Sequence, residues 1–113
     1  MITRQQFISS AQQEIASFSG PYSSEKKKMA YEMLDHGLAW SSVGLDYNSV
    51  GAKPNRKRRN QYKKECRKYI VANYQPEPSG FALTSIVMWF VFKMILNWIV
   101  NYVVDNYTLS EEK

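Results

Sequence analysis

One cysteine and one histidine among 113 residues close off most of the chemistry a small protein can carry. Cys66 has no second thiol in the chain with which to form a disulfide. Cys66 and His36 together supply fewer ligands than a zinc site requires. A glycine-rich phosphate loop, a nucleophile elbow and a paired-histidine metal motif are all missing from the sequence. Asp35 adjoins His36, but neighbours on a helix point about 100° apart, so they form no ready-made acid–base dyad. Glu32 and Asp35, three residues apart, read as a surface pair. The segment from Met1 to Ser17 carries Arg4, Gln5 and Gln6 and has no continuous apolar run, so no secretory signal is expected there. These absences predict a protein that is not an enzyme, with no metal and no cofactor.

What the chain does contain is unevenly spread. The formal net charge is +5, and nine of the fifteen basic residues fall between Lys53 and Lys68, where only Glu65 opposes them. Cations at that density attract phosphate, whether of nucleic acid or of anionic lipid. The apolar residues crowd instead into 81–104, which leaves the first 80 residues polar and able to build only a thin core. A core of that size is marginal without support from a partner, a membrane or oligomerisation.

The apolar spacing predicts four helices. Thr3 and Gln6 form a capping box, and Phe7, Ile8, Ala11, Ile15 and Phe18 make one stripe before Gly20-Pro21 ends the first helix. A second helix starts at Ser23 or Ser24 with Glu25 in its first turn, burying Met29, Ala30, Met33, Leu34, Leu38 and Trp40. Gly37 weakens its interior without ending it. Val43 to Pro54 reads as a loop. The third helix, Asn55 to Tyr74, is basic and amphipathic: Tyr62, Cys66, Tyr69, Ile70, Asn73 and Tyr74 share one face. Arg56, Lys57, Arg58, Arg59, Lys63, Lys64, Arg67 and Lys68 are its candidate phosphate contacts, to lipid headgroups or to nucleic acid. The tyrosines would stack on bases in the second case, although with so few other large apolar groups nearby they read better as core. Cys66 lies on the apolar face among cations that would lower its pKa; its expected role is still that of a small buried residue.

The fourth element is set off by Pro76, Pro78 and Gly80. From Phe81 to Val104 it would extend about 36 Å as a helix, and a bilayer core is about 30 Å thick. One stripe interrupts it: Ser85, Lys93, Asn97, Asn101 and Asp105 fall on a four-residue repeat. A central lysine costs about 2.5–3.5 kcal/mol on insertion scales, whereas each large apolar neighbour returns only about 0.3–0.6 kcal/mol. The helix is therefore expected to be a poor lone anchor, with its polar stripe making helix–helix contacts. Trp89, Trp98, Tyr102 and Tyr107 are aromatic candidates for a membrane interface, Tyr102 and Tyr107 being the better placed. The alternative is a helix buried within a soluble assembly with the stripe facing solvent.

The expected organisation is all-α: a basic helical head over 1–74, a linker over 75–80, a hydrophobic and transmembrane helix over 81–107, and an acidic tail over 108–113. The layout resembles that of many short phage virion proteins and accessory subunits of membrane complexes. The function expected is a single-pass structural or anchoring subunit, with membrane lipid and other protein subunits, copies of itself included, as partners. The positive-inside rule places the N-terminus in the cytoplasm or interior and the C-terminus outside. Two alternatives stand beside it: a soluble structural subunit of a virion or other large complex, and a nucleic-acid-binding module centred on 55–74.

Overall fold

The computed structural model describes residues 3–43, 56–76 and 84–108. Among the described residues all regular structure is helical: α1 (Arg4–Ala16), α2 (Ser23–Val43), α3 (Arg56–Asn73) and α4 (Ser85–Tyr102), which runs on into a π-helical turn (Val103–Thr108). The loop expected over Val43 to Pro54 and the linker's Glu77 to Gly80 lie outside the described residues, apart from Val43, which closes α2.

The capping box that opens α1 is formed. Thr3 Oγ1 accepts from the Gln6 amide at 3.1 Å, and Gln6 Oε1 accepts from the Thr3 amide at 3.0 Å. Two of the unpaired donors at the helix start are thus satisfied reciprocally. Phe7, Ala11 and Ile15 are fully buried, with Ile8 and Phe18 half-buried beside them. Gly20 turns the chain at φ +83°, and Tyr22 follows it into the left-handed region at φ +61°. Every apolar position expected on α2 is buried.

α4 begins later than its composition suggests. Thr84 caps it, its Oγ1 taking the Val87 amide at 3.4 Å. A hydroxyl that satisfies one of the first amides fixes a helix start better than hydropathy does, because hydropathy carries no end signal. The apolar helical span is therefore Ser85–Asn106, 22 residues long, which is still about 33 Å. It packs against both α2 and α3, which also meet each other, and completes their core.

Residues are buried along α4 in pairs that recur every four positions: Val91 and Phe92, Ile95 and Leu96, Ile99 and Val100, Val103 and Val104. A four-residue repeat advances about 40° per cycle on an α-helix, so the buried stripe drifts round it. The π turn winds more slowly per residue and reverses the drift where Val103 and Val104 must still face inward. Gly37 of α2 sits at this point. A methyl there would lie 2.9 Å from Val103 Cγ2 and 3.5 Å from Ile99 Cγ2, so the missing side chain is what admits the end of α4.

Candidate functional site

The polar stripe of α4 and the cations of α3 come together along one seam. α3 runs antiparallel to α4, which sets Lys63 opposite Asp105 and Arg67 opposite Asn97. Lys63 Nζ lies 3.1 and 3.2 Å from the two Asp105 carboxylate oxygens. Arg67 Nη2 donates to Asn97 Oδ1 at 2.8 Å. Two members of the stripe thus make helix–helix polar contacts, and the helix they meet belongs to the same chain. Ser85, Lys93 and Asn101 are exposed on the outer side of α4. The Lys63–Asp105 pair is itself accessible, so it fixes register more than it stabilises; exposed pairs are worth about 0–1 kcal/mol.

The other candidate cations spread round α3. Arg56, Lys57, Lys64 and Lys68 are exposed, whereas Arg58 and Arg59 are half-buried. The Arg58 guanidinium stands 5.6 Å above the Tyr62 ring centroid. Lys57, Lys64 and Lys68 line a shallow groove on the outer surface together with Asn60, Gln61 and Glu65.

The tyrosines of α3, and Tyr74 just after it, pack toward the bundle. Tyr62 is buried edge-on to Trp40, and Tyr69 packs against the core. Tyr74 is stacked near Phe92 and 5.6 Å from the His36 ring, with its hydroxyl donating to Glu32 Oε1 at 2.6 Å. Burial raises the Tyr74 hydroxyl above its ordinary value, and the hydrogen bond and charge of Glu32 raise it further. Tyr62 is committed to the core, whereas Tyr69 and Tyr74 are half-buried against it.

Cys66 behaves in the opposite sense to its charged neighbours' pull. Burial pushes its thiol up to about 12 from an ordinary 9.0, and the Arg67 charge offsets only part of that. Desolvation of the thiolate outweighs the nearby cation because the sulfur lies wholly inside the core. Among the described residues no cluster of three or more acidic, histidine or cysteine side chains is placed to hold a metal ion.

The aromatic candidates for a membrane interface differ in exposure. Tyr102 is held by α1: its ring lies 5.3 Å from Phe7, its hydroxyl is 2.9 Å from Ser10 Oγ, and Trp98 stacks on it at 4.9 Å. Phe18 meets Trp98 edge-on at 5.0 Å. The Tyr107 side chain lies outside the described residues. Trp89, at 53% exposure, is the open ring.

Trp89 does not stand alone. Ile86 is 84% exposed, Phe90 68% and Met94 42%, with Val71 of α3 also at 42%. Sequence reasoning missed this patch because it divided α4 by polarity alone. Helix length carries the signal: α1 has 13 residues, about 20 Å, against the 22-residue apolar span. The aromatic contacts of α1 and of Phe18 just after it fall at Tyr102 and Trp98, on the C-terminal half of α4. The outer face of α4 is therefore apolar over its first half and polar over its second, with Lys93 between them. Comparison with known proteins finds no matching family, no matching characterised protein and no matching solved structure.

Proposed function

We propose that this chain is a non-enzymatic structural protein that links a larger assembly to a membrane. In this reading α4 meets lipid, and the basic row of α3 lies toward headgroup phosphate. One observation supports it above the others. α4 is long and apolar enough to cross a bilayer, yet only 44% of its most apolar window is buried by the rest of the chain. A helix whose job is confined to an internal core keeps its large apolar groups covered and turns polar ones outward. Here isoleucine, tryptophan, phenylalanine and methionine remain in the open. The positive-inside rule keeps the basic side of the protein cytoplasmic or interior and the C-terminal tail outside if the helix crosses. Asn101, exposed on the polar half, is suited to other protein subunits. The test is fractionation of cells expressing the full chain. Recovery in the membrane pellet at neutral pH is expected; recovery wholly in the soluble fraction would end this reading.

A second reading has its own support. Nine apolar residues of α4 and its π turn, from Met88 to Val104, are already buried within the chain. The core helix of a soluble protein satisfies the same length and composition test as a membrane span. A soluble structural subunit of a virion or other large complex, its open apolar face covered by a neighbour, would show the soluble fractionation just described. The nucleic-acid reading rests on the exposed Arg56, Lys57, Lys64 and Lys68. A salt titration of DNA and RNA binding tests it, and no affinity at low salt would dismiss it.

A further inference from the structure

The open half of α4 lies along the side of the bundle, and its orientation bears on how a membrane would be met. Ile86, Phe90 and Met94 follow one another at four-residue steps over about 12 Å of helix, with Trp89 in the adjoining row. Trp89 and Val71 share a cleft of about 200 Å³ with Tyr74, Pro76, Met88 and Phe92, so the apolar surface crosses from α4 onto α3. On the inner side of the same helix Val91, Phe92, Ile95 and Ile99 fill the core of the bundle. Full insertion of α4 would strip those residues from Met33, Leu38 and Ile70, which share that core. A bundle that stays intact offers lipid only the outer side.

Charge identifies the occupant of that side. The chain from Ser85 to Val104 carries no carboxylate, and Lys93 sits exposed at the C-terminal edge of the patch, between Phe90 and Met94. Lys64 and Lys68 each stand one residue, about 100° round α3, beyond Lys63 and Arg67, which reach across the seam to α4. Both are exposed; Lys68 stands one turn before Val71 and so adjoins the apolar surface on the α3 side, whereas Lys64 lies toward the polar half of α4. Packing two copies face to face would set two Lys93 ammonium groups against one apolar surface. An anionic bilayer surface matches all three features: acyl chains for the apolar groups, the headgroup level for the Trp89 ring, and acidic lipid for Lys93 and Lys68.

We infer that the bundle docks intact and in plane on an anionic membrane surface, inserting Ile86, Trp89, Phe90 and Met94 at the headgroup boundary while α4 stays in the core. This deepens the membrane reading above and rests on it. The probe is co-flotation of the full-length chain with phosphatidylcholine vesicles containing 30% phosphatidylserine, and with vesicles of phosphatidylcholine alone. The variants are the double change Ile86→Asp with Phe90→Asp, and separately Lys93→Glu. All three positions are exposed, and an unchanged thermal transition checks that each variant remains folded.

The expected result is flotation of the wild type on the anionic vesicles, at least tenfold weaker binding to the neutral ones, release by alkaline carbonate, and at least a tenfold loss in the double variant. Lys93→Glu is expected to lose several-fold on anionic vesicles. Flotation that resists carbonate and is untouched by the double variant would overturn the in-plane docking and leave a spanning helix. A wild-type dimer that the double variant converts to monomer, with no flotation of either, would overturn it in favour of a second copy. Absence of flotation together with recovery of the expressed chain in the soluble fraction of cells would overturn the membrane reading as well.

Discussion

At the scale of single residues, Cys66 and Tyr74 show how burial decides chemistry. Both are acids whose charged form is disfavoured inside the fold, Cys66 chiefly through burial and Tyr74 through burial and then Glu32. A group whose folded pKa is raised contributes stability that is fully present below its unfolded pKa and is lost as pH rises toward the folded value. For Cys66 that window opens near 9.0 and closes near 12. Because one pKa unit is worth about 1.4 kcal/mol, the stability difference between wild type and Cys66→Ala is expected to shrink by about 1 kcal/mol between pH 9 and 10. Urea titrations at the two pH values measure it, and a difference that stays constant would show the thiol to be accessible. In the same sense, alkylation of Cys66 at pH 8 is expected only once denaturant unfolds the chain. The position of Cys66 on an apolar helical face was legible in the sequence. The sign of its pKa shift was not, since spacing on one helix shows which cations lie near but not how completely other helices exclude water.

At the scale of elements, the close approach of α2 to the end of α4 rests on Gly37. Glycine inside a helix costs about 0.5–1 kcal/mol relative to alanine, so Gly37→Ala would stabilise an isolated α2. In this protein the added methyl meets Val103 Cγ2 at 2.9 Å. Overpacking of that kind costs about 1–3 kcal/mol, so Gly37→Ala is expected to destabilise the protein by about 1 kcal/mol net. Val103→Ala removes the obstructing methyl groups, and the double variant should be more stable than the sum of the two single changes predicts by at least about 0.5 kcal/mol. Simple additivity in urea unfolding would show that the two sites do not touch. The N-terminal cap gives a second check: Thr3→Ala is expected to cost about 1 kcal/mol, read as a lowered urea midpoint. That cap was readable from Thr3 and Gln6 because both partners lie within one turn of chain. The Gly37 contact joins positions more than sixty residues apart, and the sequence offered only a weak spot in a helix.

At the scale of the whole molecule, the basic head and the apolar helix form one core. Phe7, Met33, Leu38, Cys66, Ile70 and Ile99 belong to the same buried cluster. Without α4 the remaining helices would expose most of their apolar faces, and the chain before residue 81 has little else to cover them. Residues 1–80 expressed alone are therefore expected to lose cooperative unfolding and to bind a hydrophobic dye, whereas the full chain unfolds in one transition. A fragment with a sharp transition of its own would show the head to be independent of α4.

The amino-acid pattern alone determined the helices, their buried positions on α1 and α2, the cap at Thr3 and the crowding of cations onto α3, because each depends on periodicity or on partners a turn away. It also determined that α4 is long and apolar enough for a bilayer. Only the tertiary structure decided what becomes of that apolarity. α2 and α3 cover its inner side, Lys63 and Arg67 occupy two positions of its polar stripe, and a short α1 leaves Ile86, Trp89, Phe90 and Met94 in the open. Hydropathy measures how much a segment gains by leaving water; which neighbour supplies the shelter depends on the lengths and directions of the helices packed against it.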